Sequence, residues 1–118
     1  MLKIAVVDDE QGILLSLSLF LEMEGYSPLV FTSPLKALEV LSKEKVDLII
    51  IDMRMPEMSG EEMALCLRKN PFTKNIPIIL FSAHETLPEV ASRVGAQGIL
   101  EKPFQFEKLN RMIKSVTR

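Results

Sequence analysis

The sequence predicts an α/β fold, a doubly wound five-stranded parallel sheet with strand order 2-1-3-4-5, and three observations lead there. Five short apolar runs rich in Val and Ile alternate with stretches whose apolar residues recur at helical spacing. The runs are nearly continuous in apolar residues instead of alternating with polar ones, which is the pattern of strands covered on both faces. The alternation persists along the whole chain, so right-handed crossovers place helices on both sides of the sheet. Five-stranded sheets wound in this way commonly adopt the 2-1-3-4-5 order and gather ligands beyond the carboxyl ends of strands 1 and 3.

Taken in order, residues 2–7 form strand one, which ends at Val7 just before Asp8-Asp9-Glu10. Ile13, Leu14, Leu17, Phe20 and Leu21 then mark the apolar face of helix one. Residues 28–32 are strand two, followed by Leu35, Leu38 and Leu41 as the face of helix two. Strand three, residues 46–51, contains Leu48-Ile49-Ile50-Ile51 and runs into Asp52; Met63 and Leu67 carry helix three. Strand four, residues 76–81, runs into Ser82. Residues 88–94 make a helix of only about two turns, ended by Gly95. Strand five, residues 98–100, precedes Lys102-Pro103, and Leu109, Met112, Ile113 and Val116 carry helix five to the last residue. No repeat, low-complexity tract or linker interrupts the pattern, so residues 1–118 read as one domain.

Composition narrows the function. Hydrophobic residues are 47% and charged residues 25% of the chain, a globular balance. The formal net charge is −2, and the 14 Lys and Arg residues are scattered instead of forming a stripe, which argues against direct nucleic-acid binding. Cys66 is the single cysteine and has no internal disulfide partner, which fits a reducing, cytoplasmic setting. Apolar runs fall far short of the ~20 residues a membrane helix needs, and the first residues lack a signal-peptide pattern.

A parallel sheet brings the carboxyl ends of its strands together, so the residues just past each strand decide the chemistry. Strand one delivers Asp8, Asp9 and Glu10, strand three Asp52, strand four Ser82 and strand five Lys102. The chain has only four aspartates, and three lie at this edge; the fourth, Asp47, lies at the opposite edge in a solvated role. Singly, each residue has an ordinary reading. One of Asp8 and Asp9 caps helix one, Asp52 shapes a turn before Pro56, Ser82 is a loop hydroxyl and Lys102-Pro103 an exposed turn. Jointly these readings fail, because a cap needs one aspartate and three clustered carboxylates need a reason. Two carboxylates about 4 Å apart repel by roughly 4 kcal/mol at an effective dielectric near 20, so the cluster calls for cations or raised pKa values. Lys102 supplies one positive charge, and an oxygen-only donor set suits Mg²⁺ shared with a phosphoryl group. Asp52, the solitary carboxylate after strand three, is then the nucleophile of a phosphoryl transfer, with Ser82 and Lys102 as donors to phosphoryl oxygens.

Val6-Val7-Asp8-Asp9-Glu10, Leu48 through Pro56 with Asp52-Met53-Arg54-Met55-Pro56, Ser59-Gly60, Phe81-Ser82-Ala83, Gly95-Ala96 and Lys102-Pro103-Phe104 occur in this order and spacing. In them the chain resembles the response-regulator receiver domains of two-component signalling over essentially its whole length. The resemblance implies a flavodoxin-like (βα)5 fold and phosphorylation of Asp52 by a histidine kinase or phosphotransfer protein. It also implies Mg²⁺ ligation by Asp9, Asp52 and the Arg54 carbonyl, with Asp8 acting through water. Ser82 would contact a phosphoryl oxygen and move with it, and Lys102, before a cis proline bond, would pair with the phosphate. The domain would be regulatory, changing only its own phosphorylation state and controlling an output domain or target protein, with phosphorylation-dependent dimerisation as one route.

Two departures stand out. Ile99 occupies the position three before Lys102 where the family usually places Tyr or Phe as a rotamer switch, so signalling is expected to run through Ser82 and the following loop. The stretch from Ser82 to Lys102 is short, in keeping with a stunted fourth helix. The main rival is an aspartate-nucleophile phosphohydrolase, which more typically carries Asp-x-Asp after strand one and a cap insertion; a flavin carrier lacks its hydroxyl-rich phosphate loop here. His84 reads as an exposed loop residue, Met53, Met55, Met58 and Met63 as packing, and Cys66 as a packed residue of helix three.

Overall fold

Every second residue of a strand points to the same face, and here both faces are apolar. A computed structural model describes residues 1–82 and 88–117. Its elements are β1 (Lys3–Val7), α1 (Gln11–Met23), β2 (Ser27–Phe31), α2 (Pro34–Leu41), β3 (Leu48–Asp52), α3 (Gly60–Lys69), β4 (Ile78–Ser82), α4 (Pro88–Val94), β5 (Gly98–Glu101) and α5 (Phe106–Val116). All strand pairs are parallel, in the order β2-β1-β3-β4-β5 that the apolar pattern predicts.

The period-two alternation builds two cores. Ala5, Val7, Ile49, Ile51, Ile78 and Leu80 pack with Ala37 and Leu41 of α2, Met63, Ala64 and Leu67 of α3 and Val94 of α4. Ile4, Val6, Leu48, Ile50, Ile79 and Phe81 pack on the other face with Leu14, Leu17 and Leu21 of α1 and Leu109 and Ile113 of α5. The three central strands are buried on both sides, which leaves β2 and β5 as the partly exposed edges.

Some boundaries and faces differ from the sequence reading. β3 begins at Leu48, two residues late, because Asp47 instead joins the start of β1: its N–H donates to the Lys3 carbonyl at 2.8 Å, and its side chain accepts from the Lys3 N–H. β4 begins at Ile78, after Pro77, which has no N–H for the ladder. Leu35 is not on the buried face of α2. Ser33 caps that helix by accepting from the Lys36 N–H, and Pro34 opens it, a phase that turns Pro34, Ala37 and Leu41 inward and leaves Leu35 outside. α5 stops at Val116, two residues early, where Thr117 donates back to the Ile113 carbonyl. Cys66 is exposed on α3 and does not pack.

α3 is set by its N-cap and first turn. Ser59 and Glu62 form a reciprocal capping box, Ser59 Oγ accepting from the Glu62 N–H at 3.1 Å and Glu62 Oε1 from the Ser59 N–H at 3.0 Å. Gly60 then lies directly against the end of β3: its N–H donates to the Met53 carbonyl, and a Cβ there would fall 2.5 Å from the Asp52 carbonyl oxygen and 2.8 Å from Met53 Cα. Because those atoms are backbone, they have little freedom to yield. Gly60→Ala should therefore lower unfolding stability by about 1–3 kcal/mol in urea titrations, and an unchanged midpoint would show that β3 and α3 can separate without cost.

Candidate functional site

The sheet's register decides which side chains meet. Val7 lies beside Ile51 and Asp52 beside Phe81, and Ser82 lies beside Glu101, so the strands end nearly level. Asp8 follows β1 directly, with its N–H bonded to the Phe31 carbonyl of β2. Asp52 is the last residue of β3 and Ser82 the last of β4, each one residue inside its strand where the sequence reading placed it just beyond. Lys102 follows β5, its N–H donating to the Ser82 carbonyl, and the Lys102-Pro103 bond is cis, as the resemblance implied.

These placements concentrate charge. One carboxylate oxygen from each of Asp8, Asp9 and Asp52 lies within 4.8 Å of the others, with Asp8 and Asp52 buried and Asp9 exposed. The Lys102 ammonium donates to Asp8 Oδ2 at 2.9 Å and to Asp52 Oδ1 at 3.2 Å. Asp8 Oδ1 accepts from the Glu10 N–H at 3.0 Å. Thus neither aspartate is the N-cap of α1; Glu10 holds that position without a side-chain cap bond, and Asp8 supports it from behind. Lys102 Nζ also lies 5.8 Å from the Phe81 ring centroid, and Phe81 packs on Phe104 at 4.8 Å, giving the ammonium an aromatic floor.

Burial raises the Asp52 carboxyl above its usual pKa, with the Asp8 charge adding to the effect and Asp9 contributing least, while Lys102 opposes them. Burial alone would lower the Lys102 ammonium, but its bonds and charge attraction to Asp8 and Asp52 together outweigh that and raise it. Lys102 is therefore a permanent cation at neutral pH. Three carboxylates against one ammonium leave two negative charges uncompensated, all on oxygen donors. Such a donor set fits a hard divalent cation of the Mg²⁺ kind.

The structure brings together Asp8, Asp9, Asp52 and Lys102, with Ser82 buried at the same sheet edge. Arg54 is exposed two residues past β3. Asp47 lies at the opposite edge with its side chain largely in solvent. His84 falls outside the described residues, as does Ala83. Ile99 is half-buried on β5 beside Leu80. Met55 and Met63 are buried and Met53 and Met58 half-buried, so these methionines do pack around the site. The sequence reading missed the role of Gly60, because a close backbone approach leaves no side-chain pattern. It also missed Phe81 beneath Lys102, since a strand phenylalanine reads simply as core.

Compared with known proteins, the chain matches the response regulator receiver domain family over residues 4–114. It is 37% identical over 110 residues to the transcriptional regulatory protein GlrR of Escherichia coli, covering 92% of this chain but only 24% of that one. It is 32% identical to sporulation initiation phosphotransferase F of Bacillus subtilis, over 95% of this chain and 90% of the relative. Among solved structures, the chemotaxis protein CheY4 of Vibrio cholerae superposes with a TM-score of 0.92 at 34% identity, covering 98% of both chains. The response regulator TrrA of Thermotoga maritima, solved in complex with Mg²⁺-BeF, superposes at 0.88 with 34% identity, over 98% of this chain and 99% of that one.

The electrostatics of the site predict a gain in stability when Asp52 loses its charge. Its folded pKa is raised, so the folded state binds the proton more tightly than the unfolded chain, and ionising the group costs stability as pH rises through the raised value. Asp52→Asn mimics the protonated form. Thermal unfolding without divalent cations should show a higher Tm for Asp52→Asn at neutral pH, with the gain disappearing below the usual carboxylate range, where wild-type Asp52 is protonated in both states. A lower Tm for the variant at neutral pH would mean that the Lys102 bond dominates instead.

Proposed function

The chain belongs to the response-regulator receiver domain family, and on that basis we propose that Asp52 is its phosphoacceptor, served by Lys102 and Ser82, in a Mg²⁺-dependent reaction. The observation that carries this reading is the buried Asp52 carboxylate at the end of β3, bonded to Lys102 and flanked by Asp8 and Asp9. A receiver domain is regulatory in kind, and the phosphohydrolase alternative is not favoured: the acidic pair is adjacent, and the two connections of the described chain that follow β1 and β3 carry no inserted cap.

Asp52 attacks the phosphorus of a phosphohistidine. A P–O bond forms as the P–N bond breaks, and the electron pair stays on the departing ring, which leaves as neutral imidazole because its other nitrogen carries a proton. Lys102 stands 3.2 Å from Asp52 Oδ1 and can donate to an oxygen of the transferred group without moving far. Ser82, at the end of the neighbouring strand, supplies a hydroxyl for another. Asp9, Asp52 and the Arg54 carbonyl would hold Mg²⁺, with Asp8 reaching it through water; when bound, the ion offsets the negative charge shared by carboxylates and phosphoryl oxygens. The division between the two adjacent aspartates has a physical basis. Both Asp8 oxygens already accept hydrogen bonds, one from Glu10 and one from Lys102, whereas Asp9 is exposed.

Receiver domains of response regulators interact with histidine kinases and output domains. For this chain we assign a histidine kinase or phosphotransfer protein as donor, with output through a protein target or a further domain and dimerisation as one form of it. The chain spans about a quarter of GlrR and half of several other regulators it matches, such as PhoB of Pseudomonas aeruginosa, so those whole-protein activities carry over only as proposals. Residues 1–118 act as one receiver unit in a cytoplasmic setting; among the described residues no helix is long and apolar enough to cross a membrane. Direct contact with nucleic acid is not part of this reading, given the net charge of −2.

Incubation with a small phosphodonor and Mg²⁺ should add one phosphoryl group per chain by intact mass, and Asp52→Asn should abolish it. Stoichiometric labelling of that variant would overturn the assignment. In Mg²⁺ titrations, Asp9→Asn should weaken binding more than Asp8→Asn, and the reverse order would exchange their roles. Ser82→Ala should accept the phosphoryl group yet lose most of the amide shift change over residues 88–101, whereas Ile99→Val should keep it. The opposite pair of results would move the signalling route to Ile99.

A further inference from the structure

Two arginines join α3 to the carboxyl-terminal end of α4. Arg93 of α4 pairs with Glu61 of α3, but Arg93 is more than half exposed, and exposed ion pairs hold weakly. Arg68 of α3 is different, because each of its five N–H donors meets an acceptor. Nε donates to the Val94 carbonyl at 3.1 Å, Nη1 to the carbonyls of Lys74 at 3.0 Å and Ile76 at 2.7 Å, and Nη2 to the Gly95 carbonyl at 2.7 Å and to Gln97 Oε1 at 3.3 Å. None of these acceptors is a carboxylate. The carbonyls of Val94 and Gly95 lie at the end of α4, where the intrahelical ladder has run out and the helix dipole is negative. Lys74 and Ile76 precede β4, and Gln97 Oε1 also accepts from the Ile78 N–H at 2.8 Å, which ties the same cluster to the start of β4. Gly95, at φ 66, turns the chain back over the guanidinium so that two consecutive carbonyls face it.

We propose that Arg68 makes the carboxyl end of α4 a fixed pivot, so that phosphorylation turns this seven-residue helix about Gly95 instead of sliding it along the sheet. The proposal rests on the assignment of Asp52 as phosphoacceptor. β4 connects Ser82 at the phosphorylation site to the region ahead of Pro88, so displacement enters α4 at its amino end. At the other end, breaking the part-buried Arg68 bonds to the Val94 and Ile76 carbonyls strands a carbonyl and a charged donor, which is costly, while the exposed bonds to Lys74, Gly95 and Gln97 add geometry more than energy. Lysine has three donors on a single nitrogen and cannot span five acceptors on two segments of chain. With one end held and the other displaced, a short helix swings.

The test uses the full chain with Mg²⁺ and beryllium fluoride as the phosphoryl mimic, read by amide chemical shifts. In the wild type, residues 89–91 should shift at least about threefold more than residues 95–97, as a swing about the carboxyl end requires. In Arg68→Lys the two groups should shift alike, and amide exchange at residues 94–97 should quicken by roughly 10- to 100-fold, the loss of hydrogen bonds to a charged group. Equal shifts across α4 in the wild type would overturn the pivot, as would an unchanged gradient in Arg68→Lys. The wild-type comparison decides the matter even if the variant folds poorly. Met53 and Lys102 report on the site itself: if they respond while the gradient is absent, only the pivot fails, and if they do not respond, the phosphoacceptor assignment fails and the pivot with it.

Discussion

The Lys102 ammonium between Asp8 and Asp52 is the contact on which the rest of the site depends. Two buried carboxylates side by side would repel strongly in so dry a place without a cation between them. Lys102 is only 14% exposed at its side chain and reaches both. It therefore keeps an anionic pair at the sheet edge without neutralising it. Asp52 still carries a raised pKa, because burial and the Asp8 charge outweigh the help from Lys102. The remaining negative charge, all on oxygen donors, fits a hard divalent cation. Stability is given up at this edge for chemistry.

Holding that contact requires four strands and one helix to agree. Asp8, Asp52, Ser82 and Lys102 arrive from β1, β3, β4 and β5, and the ladder sets their relative heights. α3 then presses its first turn against the last peptide of β3, with Gly60 where any side chain would displace the Asp52 carbonyl. The capping box at Ser59 and Glu62 fixes where that turn begins. Asp52 is thus held from behind by packing and in front by an ion pair. This division suits a group that must react while its main chain stays still.

The same helix has a second attachment at its other end. Through Arg68, α3 grips the carbonyls at the end of α4 and the turn ahead of β4, at the opposite edge of the sheet from Asp52. α3 therefore touches both Asp52 and the part of the fold that follows Ser82. Ile99 is half-buried on β5 beside Leu80 and has no polar atom with which to exchange hydrogen bonds. In this chain the polar groups able to distinguish two states lie in β4 and around α4, which is where a change in hydrogen bonding can be felt.

The local code determined much of this protein alone. Continuous Val and Ile runs demand a covered parallel sheet, helical spacing in Leu14, Leu17 and Leu21 demands a face for α1, and parallel topology places Asp8, Asp9, Asp52, Ser82 and Lys102 at one edge before any distance is known. Those conclusions hold because period and topology are properties of order along the chain. Other features depend on which atoms meet across the fold. Leu35 has the right spacing for the face of α2, yet the phase set by Ser33 and Pro34 turns it outward and brings in Ala37, whose small side chain gives a weak apolar signal. Cys66 lies on the solvent side of α3 for the same kind of reason. Arg68 has no part in the sequence reading, and Gly60 enters it only as half of the Ser59-Gly60 motif. Apart from the Gln97 side-chain amide, their partners are main-chain atoms, which every residue carries and no sequence pattern marks, so only the tertiary structure could assign them.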